Sequence, residues 1–189
     1  MLYVHRLHNK LGCHDILLDD KSDIADCRQI FVVQRGKGFY CTVRLWFDDK
    51  LYYLHTMMVP DVPDGFMIDH IDGNGLNNTR CNLRIVNKSQ NSLNSYRVNK
   101  LGFVGVLQKG DRFQARVKVK GVNETIGTFA CVEEAAMMRD EVVDVLNGGF
   151  SRPNFEKQER CLNDGHMRQV AAFLNKHMSA YLHPQRSIS

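Results

Sequence analysis

The chain has no close pair of cysteines, no apolar run long enough to cross a bilayer, and no internal repeat or low-complexity tract. Its six cysteines, Cys13, Cys27, Cys41, Cys81, Cys131 and Cys161, are scattered without a CxxC. That excludes a zinc ribbon and fits free thiols in a reducing compartment. Cys13 beside His14 has no second pair to complete a tetrahedral site, so burial is its expected role. The start, MLYVHRLHNKLGCHD, lacks the basic region, apolar core and small-residue cleavage site of a secretion signal. A cytoplasmic protein with no membrane partner is therefore expected. At 189 residues and 43% apolar content, the chain supports one or two small domains with modest cores.

The net charge of +4 is mild but unevenly placed. Between residues 97 and 120, Arg97, Lys100, Lys109, Arg112, Arg116, Lys118 and Lys120 face Asp111 alone, and from 121 to 155 six acidic residues outnumber Arg139 and Arg152. A basic stripe before an acidic helix points to a module with one face toward phosphates.

The strands of that module are readable. In RFQARVKVKG, Phe113, Ala115, Val117 and Val119 alternate with Gln114, Arg116, Lys118 and Lys120, the period of a half-buried strand. GFVGVLQKGDR reads as a preceding strand turning at Gly110-Asp111. VNETIGTFA reads as a following strand after a turn at Lys120-Gly121. CVEEAAMMRDEVVDVLNGG reads as a helix placing Ala135, Met138, Val142, Val145 and Leu146 on one side and stopping at Gly148 and Gly149.

The most informative stretch is MIDHIDGNGLNNTRCNLRIVNKSQNSLN, Met67 to Asn94. Asp69 offers a hard oxygen ligand and His70 an imidazole able to take a proton near neutral pH. Asn82 and Asn91 add amide oxygens 12 and 9 residues further on. Taken singly, Asn74, Asn77 and Asn78 are turn residues, because Asn tolerates positive φ. Together these parts suit metal-assisted hydrolysis of a phosphodiester.

The order Asp69-His70, Asn82, Asn91, with NLRIV between the asparagines, resembles the HNH homing endonucleases of phages, in the subclass whose third residue is Asn. The resemblance implies a ββα-metal unit of the His-Me finger type. MIDHI is then the first strand, LRIV the second, and a short helix capped by Asn87 or Ser89 carries Asn91. It also implies Asp69 and Asn91 as ligands of one divalent cation, Mg²⁺ or alternatively Mn²⁺, His70 as the general base, and Asn82 as the catalytic-loop residue orienting it.

Residues 102–155 resemble the ethylene-response-factor DNA-binding domain, through GFVGV, FQARVKV, IGTF, EEAA and PNF. By position, this resemblance implies a sheet in the major groove, with Arg116 and Lys118 at reading positions and Thr125 where the family often has a Trp. Arg97, Lys100, Gln108, Lys109, Gln114 and Lys120 complete the expected set of DNA contacts. The module has no Trp, and Leu107 stands where an Arg is common, so the family's base preference does not carry over.

The whole reads as α+β: a β-ribbon and nuclease unit over residues 1–94 with its core at about 52–94, a linker at 95–101, a three-stranded antiparallel sheet packed on one helix at 102–155, and a helical extension at 156–189. FYCTVRLWFDDKLYYLHTMMV reads as a hairpin turning at Asp48-Asp49-Lys50. His55 is assigned to support of the fold, and Trp46, Tyr52 and Tyr53 to packing. NDGHMRQVAAFLNKHMSAYL reads as an amphipathic helix begun by Asn163 or Asp164, with Val170, Phe173, Leu174 and Tyr181 in its apolar set. It either docks on the core or mediates association, and no obligate protein partner is evident; HPQRSIS reads as a frayed tail. The expected function is cleavage of double-stranded DNA in the cytoplasm of an infected bacterial host. The alternatives are a DNA-binding regulator with an idle nuclease fold, and an RNA- or protein-binding phage accessory factor.

Overall fold

The structure, a computed structural model, describes residues 2–94 and 99–182. It divides into two compact units, residues 1–94 and 95–189. Arg97, most of the expected linker, the side chain of Tyr181 and the C-terminal tail lie outside the described residues.

The first unit is mostly antiparallel sheet. Strands β1 (Tyr3–Asn9) and β2 (Gly12–Leu18) form a hairpin whose inward residues, Ile16 and Leu18, are fully buried. A 3₁₀ turn at Lys21–Ile24 follows, opened by Asp20, which accepts from the Ser22 amide while Asp23 accepts from the Asp20 amide. Strands β3 (Cys27–Arg35), β4 (Gly38–Leu45) and β5 (Asp48–Tyr53) then make a three-stranded meander. Its inner face carries Val32, Cys41, Val43 and Leu45 into one core with Ile16, Leu18, Leu54 and Leu83. Burial pushes the Cys41 thiol up to about 12, which makes it a packing residue.

The expected single ribbon is thus a hairpin plus a three-stranded sheet. The β4–β5 turn is also earlier than Asp48-Asp49-Lys50: Leu45 pairs with Asp48, so Trp46 and Phe47 form the tip. Asp48 instead opens β5, accepting from the Lys50 amide and the Tyr52 hydroxyl. The turn position leaves Trp46 69% exposed, contrary to its expected packing role. The second strand also stops sooner, at Tyr53, where a short helix α1 (Leu54–Met58) begins and buries Leu54 and Met58. These two apolar residues are four apart, which is helical spacing that a β reading of LHTMM overlooks.

Strands β6 (Phe66–His70) and β7 (Leu83–Asn87) pair antiparallel, with Ile68 opposite Ile85 and Asp69 opposite Arg84. Helix α2 (Lys88–Leu93) starts at once, because Asn87 accepts from the Gln90 amide and the Gln90 side chain accepts from the Asn87 amide.

The second unit has its own core. Strands β8 (Val106–Lys109), β9 (Arg112–Val119) and β10 (Val122–Phe129) form a sheet in the order β10-β9-β8, turning at Gly110-Asp111 and Lys120-Gly121. Lys120 and Gly121 both have positive φ, 48° and 88°, as a tight two-residue hairpin turn requires. Helix α3 (Val132–Asn147) lays Ala135, Ala136, Met138, Val142 and Val143 on Ala115, Val117 and Val119. It ends at Gly148, in the left-handed region at φ 56°. Val145, expected on the inner side, is 51% exposed. The buried stripe instead includes the polar pair Arg139 and Asp140.

That pair has a structural task. Asp140, fully buried, accepts from the backbone amides of Asn154 and Phe155, from the Asn154 side chain and from Arg139. Asn154 in turn bonds both backbone groups of Val104. The loop before β8 is thereby pinned to the segment after α3. Helix α4 (Asp164–Leu182) packs Val170, Phe173 and Leu174 into the same core. His166 at its start pairs with Glu134 at 2.6 Å.

Candidate active site

Asp69 and His70 end β6, both buried. The loop after them, residues 71–82, is built almost wholly from its own side chains. Asp72 accepts from the Asn74 amide, from the Asn77 side chain and from the Asn82 side chain. Asn82, 7% exposed, also donates to the Asn77 carbonyl and accepts from the Asp72 amide, while its own carbonyl takes the Ile71 amide. Both amide protons of Asn82 are therefore engaged in shaping the turn that leaves His70.

The N-terminal hairpin holds this loop from outside. The Leu17 amide donates to Leu76, and the Asn78 amide donates to Leu17. Arg80 bonds Asp19 and Asp23 through its guanidinium, and Asp19 also receives the Arg80 amide. On another side Gly75 lies against Phe39 and the Tyr40 ring so closely that no Cβ fits there. A loop this tied cannot drift relative to His70.

His70 sits among rings. His55 meets it edge-on with centroids 5.1 Å apart, Tyr40 meets it at 6.1 Å, and Tyr53 stacks on His55 at 5.3 Å. The His70 Nε2 lies 3.5 Å from Oδ1 of Asn78, a fully buried residue whose amide nitrogen has no partner among the described residues. Desolvation pushes the imidazole of His70 below its ordinary range, against the opposing pull of Asn78, Asp72 and Asp69. Burial and the neighbouring His70 drive His55 further, down to about 4. Both rings are neutral at pH 7, and a neutral ring can accept a proton.

Asp69 is held from two directions. Oδ2 accepts from Arg84 Nε at 3.0 Å and Nη2 at 2.8 Å, and the Asn94 side chain reaches both carboxylate oxygens and the His70 carbonyl. Oδ1 accepts from Asn94 and, as a carboxylate oxygen with two lone pairs, has capacity for a second partner. Asn91, half-buried on α2, is one helical turn before Asn94 and shares its side of the helix. No group of three His, Cys, Asp or Glu side chains clusters for a metal among the described residues. A cation at this place needs a mixed set in which a carboxylate oxygen and an amide oxygen contribute, together with water. By donor type, a carboxylate oxygen of Asp69 and the amide oxygen of Asn91 are the kinds of ligand such a set uses; among the described residues, no hydrogen bond joins the two.

Sequence reasoning missed Arg84, Asn94 and Asn78 at this site. Arg84 carried a signal: pairing MIDHI against LRIV puts opposite charges directly across from each other. Asn94 carried a weaker one, its three-residue offset from Asn91. Asn78, read as a turn residue, carried none.

In the second unit, the register sorts the expected DNA contacts by face. Lys109 lies opposite Arg112, Thr125 opposite Arg116 and Asn123 opposite Lys118, on the side away from α3, with Gln114 beside them. Gln108 pairs with Phe113 and so falls on the helix-facing side, apart from the others. Lys120 occupies the turn, and Lys100 is exposed before β8. Arg112 joins the open face although it was not among the expected contacts.

Residues 54–93 match the family model described as HNH endonuclease. An uncharacterized HNH endonuclease of Acanthamoeba polyphaga mimivirus is 33% identical over 104 residues, 54% of this chain and 54% of that protein. The chain therefore spans about half the length of this relative. No described helix is long and apolar enough to cross a membrane.

Proposed function

We propose that this chain, which carries an HNH endonuclease domain over residues 54–93, is a metal-dependent endonuclease of the homing type that cuts double-stranded DNA. The observation that carries the reading is His70 beside Asp69 at the end of β6, with the turn that leaves His70 knitted together by Asn82 and the Asp69 carboxylate held by Arg84 and Asn94. In this reading His70 takes the proton of the attacking water. Only 6% of the residue is exposed, so this reading requires the attacking water to reach the ring through a narrow opening. Asp69 and Asn91 would hold the divalent cation, Mg²⁺ or Mn²⁺, which when bound would supply positive charge to the phosphate under attack and to its leaving oxygen. Arg84 holds Asp69 in its orientation, and Asn82 keeps the loop closed. The open face of the second sheet, with Lys109, Arg112, Arg116 and Lys118, supplies the cationic surface expected of an ethylene-response-factor-like module that lies in a DNA groove.

The second reading is a DNA-binding regulator with an idle nuclease fold. It is favoured by the Arg84 ion pair, which occupies one oxygen of Asp69, and by the low exposure of His70. One experiment separates the two. Purified full chain and its His70→Ala variant are incubated with supercoiled and linear DNA, with Mg²⁺, with Mn²⁺ and with chelator. Cation-dependent cutting lost in the variant, with DNA binding retained, supports the endonuclease. Binding without cutting by either protein supports the regulator.

A further inference from the structure

The arginines of the first unit differ in what they face. Arg6 bonds Asp15, Arg28 bonds Asp49, Arg80 bonds Asp19 and Asp23, and Arg84 bonds Asp69. Arg44 sits over the Phe31 ring, with its Nε buried. Arg35 alone among them is exposed with no carboxylate partner among the described residues, and its Nε donates to the Tyr53 hydroxyl at 3.1 Å.

That one bond fixes where the guanidinium stands. Tyr53 stacks on His55 with rings 26° from parallel, and His55 meets His70 edge-on. Arg35 is thus three contacts from the imidazole, on the β3–β5 face opposite the buried core. Lys37, also exposed and without an ion pair among the described residues, forms the β3–β4 tip with Gly36, since Arg35 pairs with Gly38. On this face, from Gln29 to Arg35 on β3, Gly38 to Arg44 on β4 and Leu51 to Tyr53 on β5, the alternating positions include no carboxylate. Arg44 on the same face is half-buried over the Phe31 ring, so Arg35 and Lys37 are the exposed cations at the edge of the ring cluster with no carboxylate partner among the described residues.

We propose that Arg35, with Lys37 beside it, binds a backbone phosphate of the nucleic acid next to the one attacked at His70. The inference rests on the endonuclease reading for the identity of the nearby reaction, but the phosphate site itself is separate. Tyr53 holds the guanidinium by Nε, and the two Nη groups, the donors that fork onto phosphate oxygens, have no hydrogen-bond partner among the described residues. Binding here sets the register of the strand across the imidazole. It fixes position and reads no sequence.

The test uses the full chain in the His70→Ala background, so that DNA is bound and not cut. Affinity for a fixed DNA duplex is measured over a range of salt concentrations for Arg35→Gln, for Arg35→Gln with Lys37→Gln, and for Arg28→Gln, which removes the same charge from an arginine already paired. The expected result is a salt slope smaller by about 0.9 for each phosphate that the variant no longer neutralises, with Arg28→Gln at the parent slope. In the cutting-competent chain, Arg35→Gln should raise KM about 5–10-fold with kcat within about twofold, and Arg35→Lys should recover part of the loss, the expected behaviour for binding that is equal in ground and transition states. Thermal melting of each variant monitors folding. Equal slopes for Arg35→Gln and Arg28→Gln overturn the phosphate site, as does absence of duplex binding in the parent. Parent protein that binds with the predicted slope difference but never cuts overturns the endonuclease reading and leaves the phosphate site standing.

Discussion

The two units use polar side chains in opposite ways. In residues 1–94, Asp72, Asn77, Asn82, Asp69, Arg84 and Asn94 are turned on one another, and the result is a fixed arrangement around His70. In the second unit the core is a continuous apolar layer between β9 and α3, the internal polar braces run through Asp140 and its partners and through Arg160 with Glu141 and Asp144, and the cations of the sheet are on its open face. Each unit is fragile in its own place as a result. A site made of mutual hydrogen bonds loses geometry when one member goes, whereas a sheet with outward cations keeps its shape when one of them is removed.

Four experiments test that contrast. The most severe change is expected from Asp140→Ala, which takes the carboxylate from Arg139, leaving it the Arg152 carbonyl, and frees two backbone amides. Removing one partner of a buried pair costs about 3–5 kcal/mol, so hydrogen exchange should accelerate across residues 104–155. Exchange in β6 and β7 should stay at its parent rate, and a global change would mean that the two cores do not unfold independently.

Next is Asn82→Ala, expected to cost about 1–3 kcal/mol through the acceptors and donors it leaves unmet. Cutting should fall more than stability does, read as kcat against melting temperature at saturating cation. A loss of stability with kcat unchanged would show that the loop does not orient His70.

Arg116→Ala comes third. It should weaken duplex binding by about 1–3 kcal/mol or broaden the footprint, with the intrinsic hydrolytic rate and the melting curve unchanged. Identical footprints for variant and parent would remove Arg116 from the DNA-binding set.

The mildest change is in pH dependence. His55 is held at about 4 in the folded chain against 6.5 for the free side chain. Below 6.5 the unfolded state takes up a proton that the folded state refuses, so stability falls as pH drops from 6.5 toward 4 and is unaffected above it. The melting temperature of His55→Gln should lose this slope. A variant curve as steep as that of the parent in this window would remove His55 as the cause.

Much of the second unit was legible because each element is local. The alternation of RFQARVKVKG, the glycines at the turns and the helical spacing of Ala135, Met138 and Val142 depend on neighbours within a few residues. Val145 was misplaced because α3 turns its stripe toward Ala136, Arg139 and Val143, so that polar residues are buried where an apolar count predicts none. In the first unit the strand-strand-helix order around His70 is the one the HNH resemblance implied, and of the two expected caps, Asn87 and Ser89, it is Asn87 that opens α2. The β4–β5 turn was not, because acidic residues usually mark turns and here Asp48 serves to start β5 while two aromatics occupy the tip.

Strand and helix periods and turn preferences act over a few residues, so the order of amino acids alone specifies which side chains can do chemistry and how far apart they lie along the chain. Folding in three dimensions was needed to bring Arg84 and Asn94 onto Asp69, to set Leu17 and Asp19 against the loop, and to link Arg35 to His70 through the rings of Tyr53 and His55. Those contacts join segments up to 61 residues apart. Their partners are chosen by packing and by the need to satisfy every buried polar group, and no local pattern encodes that choice.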